Sequence, residues 1–159
     1  MTQWNIYLSG EIHTDWREQI EAQVQSANLP VTFSAPVTNH GYSDDCGVEI
    51  LGREPNKFWH DHKGAKMNAI RTRTLIERAD IVIVRFGDKY KQWNAAFDAG
   101  VASALGKSLI IMHGPENAHA LKEVDGAALA VTQTVDEIVN TLKYVIRGEL
   151  NVGAREAAE

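Results

Sequence analysis

Residues 79–114 read ADIVIVRFGDKYKQWNAAFDAGVASALGKSLIIMHG, and this stretch decides the fold. Its opening, ADIVIVRF (79–86), is an unbroken β-branched run, the pattern of a strand covered on both faces. NAAFDAGVASALGK (94–107) is rich in Ala and ends at Gly106, which suits a helix with a glycine C-cap. SLIIMHG (108–114) is a further buried strand. Strand, helix and strand, both strands apolar throughout, make a parallel unit with a right-handed crossover.

Working outward, WNIYLSG (4–10) is another apolar run, closed by a glycine turn. Trp16, Ile20, Val24 and Ala27 fall on one face of a helix over 14–28, with Thr14 or Asp15 as its N-cap. PVTFSA (30–35) reads as a strand, and ALAVTQ (128–133) as the fifth. Met67, Ile70 and Leu75 support a helix from Gly64 to Arg78, and 116–124 suits a short one. Thr134 and Glu137 form a T-x-x-E capping box that opens a last helix to about Arg147. Pro36–Lys57, with its Asp, Asn, Gly and Pro content, reads as a long loop, followed by the order-favouring FWHDH (58–62). The expectation is a single α/β domain over 1–150, a flavodoxin-like three-layer sandwich on a five-stranded parallel sheet, with a frayed tail at 151–159. In such a sheet the turns after Ser9, Phe86 and Met112 share one rim, where ligands bind.

The 159 residues carry a net charge of −5, 44% hydrophobic and 23% charged residues, and no basic cluster. A surface that tracks nucleic-acid phosphates needs a local excess of Lys and Arg, so polymeric nucleic acid is excluded as a partner. No apolar run is long enough to span a membrane. The lone Cys46 makes no internal disulfide and has no activating base beside it, and with no secretory signal the expected location is cytoplasmic. Without G-x-G-x-x-G or a Walker lysine loop, dinucleotides and nucleoside triphosphates have no motif here, and no cofactor is expected.

Asp98 is the leading candidate residue. It lies among small neighbours early in a helix aimed at the rim, although an acid near a helix start is also stabilised by the macrodipole alone. Tyr7, a core position by pattern, sits near the end of the first strand, where its hydroxyl could orient Asp98. The turn at Ser9, Gly10, Glu11 and His13 offers backbone N–H groups to an anion. His13 and Arg17 favour one there, and Glu11 and Asp15 oppose it. Asp61, between His60 and His62, is an acid in the kind of setting a proton donor needs. Together with His40 these imidazoles match no zinc spacing, so no metal is expected. Arg71, Arg73 and Arg78 read as a solvated face or as partners of Glu77 and Asp80.

IYLSG (6–10), ADIVIV (79–84) and AAFDAGVASALGKSLII (95–111) together resemble the nucleoside 2-deoxyribosyltransferase superfamily, and within it the YtoQ group. The resemblance extends to about residue 147 and is weakest over 36–63. It implies a flavodoxin-like fold, and a glutamate nucleophile in an [AG]-x-E-x-G run working with a first-strand tyrosine. Asp98 and Tyr7 stand at those positions, the acid shorter by one methylene. Two further family acids are replaced, by Gln92 and at about Thr72, and neither an amide nor a hydroxyl supplies a proton near neutral pH. Glu11 and His13 replace the Ser and Arg of a phosphate-binding turn, which points to an uncharged or cationic ligand.

The implied activity is cleavage or transfer at the N-glycosidic bond of a nucleoside-like molecule. Asp98 attacks the anomeric carbon, Tyr7 orients it, and Asp61 or Asp88 protonates the departing base, with Asn94 on a sugar hydroxyl and Gln92 on the base. The alternative is a binding module that kept the pocket and lost the acid. The resemblance also implies a homo-oligomer, for which HGPENAH (113–119) is the candidate shared edge.

Overall fold

In the computed structural model, which describes residues 1–150, alternating strands and helices build one sheet covered on both sides. In chain order the elements are β1 (Trp4–Gly10), α1 (Trp16–Ser26), β2 (Val31–Ser34), α2 (His40–Leu51), α3 (Lys57–Arg78), β3 (Ile81–Arg85), α4 (Trp93–Ala104), β4 (Ser108–Met112), α5 (Lys122–Ala127), β5 (Ala130–Thr132) and α6 (Val135–Arg147), with a 3-10 turn at Pro115–Asn117. The strands pair in parallel in the order β2-β1-β3-β4-β5, the flavodoxin-like order expected from the sequence. The expected fraying at 151–159 lies outside the described residues.

The unbroken apolar runs follow from this two-sided burial. Ile6, Leu8, Ile81, Ile83, Ile110 and Met112 pack on Trp16, Ile20 and Val24 of α1 and on Ile138, Val139 and Leu142 of α6. The alternate residues Tyr7, Val82, Val84, Leu109 and Ile111 meet Ile76 of α3 and Ala95, Ala99 and Ala102 of α4. Burying one such large side chain contributes about 1.5–3 kcal/mol. Because the sheet-facing stripe of α4 is alanine, that helix can lie close to the strands. The capping box forms as the sequence implies: Glu137 N–H donates to Thr134 Oγ1 and Thr134 N–H to Glu137 Oε2, each at 3.2 Å. Among the described residues no helix is long and apolar enough to cross a membrane.

Three local expectations are corrected. Pro36–Lys57 is not a long loop, since its middle is α2, capped by Asn39, whose side chain accepts from Tyr42 N–H at 3.0 Å. Nor does α3 begin at Gly64: it starts at Lys57, where the Asn56 side chain accepts from Phe58 N–H at 2.8 Å. Of the glycines that suggested a loop, Gly47 serves close helix packing instead. A Cβ on Gly47 would stand 2.5 Å from Lys63 Cβ and 2.6 Å from the Gly64 nitrogen. Finally, neither Thr14 nor Asp15 caps α1; Thr14 donates to Glu11 and Asp15 accepts from Gln19.

Candidate active site

The site begins at the carboxyl end of β1. Gly10 has φ +110°, and a Cβ there would stand 2.0 Å from the Arg85 carbonyl oxygen, so this turn needs glycine. The next residue, Glu11, is buried. It accepts from the Thr14 hydroxyl at 2.6 Å and from His13 N–H, and it pairs with Arg85 at 3.5 Å. Burial alone would raise its carboxyl, but the Thr14 hydroxyl, the His13 amide and Arg85 together hold it below the ordinary glutamate value. Glu11 therefore lines the site with its charge already spent on its own turn. Arg17 is likewise committed: its guanidinium donates to the carbonyls of Leu8, Gly10 and Glu11 at 3.1, 3.2 and 2.7 Å, which corrects its reading as an anion ligand.

Period-two alternation places Tyr7 and Ser9 on the α4 side of the sheet, with Ser9 nearer the rim. Asp98 falls in the second turn of α4, beyond the reach of a simple helix-start effect. Ser9 Oγ donates to Asp98 Oδ2 at 2.6 Å. Burial pushes the Asp98 carboxyl above the ordinary aspartate value, and the Ser9 hydrogen bond pulls it partly back. Tyr7 is fully buried and its hydroxyl has no hydrogen-bond partner among the described residues. Its pKa is pushed up to about 12, first by burial and also by the Asp98 charge. The Thr72 side chain faces that hydroxyl without reaching hydrogen-bond geometry and works in the opposite direction. Ser9, rather than Tyr7, is thus the residue hydrogen-bonded to Asp98.

Above this pair opens a cavity of about 1000 Å³. One wall is a stripe of α3 at helical spacing, Ala65, Asn68, Ala69, Thr72 and Ile76. Asn94, Phe97, Asp98 and Val101 of α4 form the wall opposite, and the first turn of α2 adds His40, Ser43 and Asp44. Of the residues singled out in the sequence, Ser9, Gly10, Glu11, His13, Gln92, Asn94 and Asp98 all line the cavity. Gln92 has its carbonyl oxygen occupied by Gly87 N–H at 3.0 Å, leaving its NH₂ for a ligand. The His13 ring packs on Tyr90, with centroids 4.7 Å apart.

Asp61 and Asp88 are exposed and line no part of it. Asp61 is bound to Lys57 at 2.7 Å and to His60 at 3.2 Å. Its hydrogen bonds with Lys57, first, and with His60 hold its carboxyl below the ordinary value, the wrong direction for a proton donor. Neither acid is placed to protonate a leaving group.

Sequence reasoning missed several lining residues. Lys91 lines the cavity, as do Arg71 and Arg73, which the sequence reading had put on a solvated face, so cationic side chains stand beside the carboxylates of Glu11, Asp44 and Asp98 there. Arg71 also donates to the Ala35 carbonyl at 3.1 Å. The legible signal was the position of Arg71 and Arg73 beside Thr72 and of Lys91 beside Gln92. His40, noted in the sequence only beside His60 and His62, pairs with Asp44 at 3.1 Å, a pairing that α2 read as loop kept hidden. His60 pairs with Asp45 at 3.2 Å and His62 stacks on Phe58, so the imidazoles of 40, 60 and 62 go to separate partners. Among the described residues no group of three or more His, Cys, Asp or Glu could hold a metal. In the 113–119 segment His113 is buried, its Nε2 2.9 Å from Asp125.

The fold recurs in known proteins. An uncharacterized protein YtoQ of Bacillus subtilis (strain 168) is 44% identical over 144 residues, covering 91% of this chain and 97% of the relative. A crystal structure of a conserved protein from Enterococcus faecalis V583 has the same fold, with TM-score 0.63, 13% identity, and 91% and 99% of the two chains covered. So does a 2-deoxyribosyltransferase from Bacillus psychrosaccharolyticus, with TM-score 0.53, 17% identity, and 87% and 95% coverage. The family described as nucleoside 2-deoxyribosyltransferase YtoQ matches residues 7–146. The chain belongs to that family.

Proposed function

We propose that the protein cleaves or transfers at the N-glycosidic bond of a nucleoside-like molecule through a covalent glycosyl–Asp98 intermediate. The observation that carries this reading is Asp98 itself: a partly desolvated carboxylate at the cavity wall, fixed by Ser9 and close to the buried Tyr7 hydroxyl. A carboxylate stripped of water is a stronger nucleophile than a hydrated one, and the Ser9 hydroxyl fixes its direction of attack. Among the described residues the Tyr7 hydroxyl has no partner, so a small movement of Asp98 can bring it a second donor. Asn94 and the Gln92 amide suit the sugar and the base. Family membership supports the same chemistry. The reading includes a cytoplasmic, homo-oligomeric enzyme, the assembly being open to light scattering.

Incubating the protein with a panel of 2′-deoxynucleosides and their 5′-monophosphates, with and without an acceptor base, tests the reading. Base release or exchange by wild type, abolished in Asp98→Ala, supports it; no turnover, or equal turnover by the variant, ends it.

The absence of a carboxyl at Gln92 and Thr72, both lining the cavity, favours a second reading as a binding module. That reading expects nucleosides to raise Tm, by about 2.7 kcal/mol of stability at a hundred times Kd, with no product formed.

A further inference from the structure

A departing base needs a proton, and the residues at the family's acid positions, Gln92 and Thr72, cannot supply one. Five residues with a carboxyl or imidazole line the cavity: Glu11, His13, His40, Asp44 and Asp98. Asp98 is the nucleophile, and Glu11 is held ionised by its own turn. His13 packs its ring on Tyr90 and has no carboxylate partner among the described residues. His40 differs, because its Nδ1 lies 3.1 Å from Asp44 Oδ2. Among the described residues this is the one imidazole–carboxylate pair with both members on the cavity. The Asp44 carboxylate fixes the proton on Nδ1 and leaves Nε2 for a ligand, and imidazole both gives and takes a proton near neutral pH.

The placement is built into the fold. Gly47 and Gly64 let α2 and α3 touch closely. Asn68 Nδ2 on α3 donates to the Ser43 carbonyl at 2.8 Å and contacts Ser43 Oγ at 3.1 Å, fixing the turn of α2 that carries His40 and Asp44. His60 Nε2 adds a contact of 3.2 Å to Asp45.

We propose that His40, oriented by Asp44, is the acid–base group of this site; the proposal rests on the glycosyl-transfer reading above. Asp98 forms a bond to the anomeric carbon as the carbon–nitrogen bond breaks. The bonding pair stays with the base, which takes the Nε2 proton of the His40 imidazolium at a ring nitrogen or carbonyl oxygen. In the second half an incoming base or water attacks the glycosyl–Asp98 ester and gives its proton to the now neutral His40. The carboxylate leaves, and both residues return to their starting states.

The test compares two substrates, 2′-deoxyinosine, whose base needs a proton to leave, and N7-methyl-2′-deoxyguanosine, whose base is already cationic and leaves without one. Read as base release in a single turnover, before the second half calls on His40 as a base, His40→Gln is expected to slow 2′-deoxyinosine at least about a hundredfold while nearly sparing the methylated substrate. Retained turnover of the methylated substrate also shows that the variant is folded. Asp44→Asn is expected to slow 2′-deoxyinosine, less severely, and Asp98→Ala to lose both. Unchanged 2′-deoxyinosine turnover in His40→Gln, or equal loss on both substrates, overturns the role of His40 and leaves the glycosyl-transfer reading standing. If wild type cleaves neither substrate, or Asp98→Ala cleaves as well as wild type, that reading fails and takes this one with it.

Discussion

Ser9 and Asp98, 89 residues apart in the chain, meet through a 2.6 Å hydrogen bond that ties the end of β1 to the second turn of α4. Parallel pairing of β1 with β3 brings Ser9 level with Val84, and the helix that follows β3 returns its alanine face over both strands. The proposed attack needs Asp98 ionised, and burial works against that while Ser9 works for it.

Ser9→Ala removes the hydrogen bond that lowers the Asp98 pKa, so the acid limb of the kcat/KM profile moves to higher pH. A hydrogen bond to a charged group is worth about 1.5–3 kcal/mol, so the rate near neutral pH is expected to fall at least about tenfold. Raising the pH recovers part of the loss. An unmoved acid limb contradicts the assignment.

Asp98→Asn is expected to stabilise the protein while abolishing turnover. The folded-state pKa of Asp98 lies above its unfolded value, so its contribution to stability is full at low pH and is lost as pH rises through that range. At pH 7 the folded chain carries a charge that burial disfavours, and a neutral amide relieves it. Thermal melts at pH 7 should show a gain of about 2–4 °C. The gain should vanish at about pH 3, below the ordinary aspartate pKa.

His113 supplies a second titration. Its Nδ1 lies 2.7 Å from the Gly114 carbonyl and its Nε2 2.9 Å from Asp125, and two acceptors call for a doubly protonated ring. Burial pulls its pKa down, but the Gly114 carbonyl and Asp125 outweigh it and leave it above the ordinary histidine value. The pair therefore stabilises fully below about pH 6.5, and the contribution fades as pH rises through the higher folded value. Asp125→Asn is expected to cost about 1–3 kcal/mol at pH 6 in urea unfolding and progressively less toward pH 9. A cost independent of pH contradicts the charged pair.

Gly47→Ala forces a methyl into a 2.5 Å approach to Lys63 Cβ, with backbone just behind it, so α2 must shift off α3. A loss of about 1–3 kcal/mol is expected. Turnover of 2′-deoxyinosine should fall more than that of N7-methyl-2′-deoxyguanosine, because the shift moves His40. Wild-type stability in this variant contradicts the packing described.

The sequence showed the sheet plainly because its central strands are buried on both faces, which leaves unbroken runs such as Ile81–Val84. The position of Asp98 followed from strand order. What it hid was α2, since Gly41, Gly47 and Gly52 look like loop residues, while Gly47 is there for contact with α3. The caps Asn39 and Asn56 were the readable clues. Missing α2 hid the His40–Asp44 pair and left Asp61, which lines no part of the cavity and pairs with Lys57, as the candidate proton donor. Partners distant in sequence, such as Ser9 for Asp98 and Arg85 for Glu11, are set by tertiary packing and leave no local pattern.

The central claim is a sugar bound covalently to Asp98. Wild-type protein quenched in acid during turnover of a 2′-deoxynucleoside should gain the mass of one 2-deoxyribosyl unit, carried on the peptide containing Asp98 and absent from Asp98→Ala. Unmodified protein during active turnover, or an adduct on another residue, contradicts it.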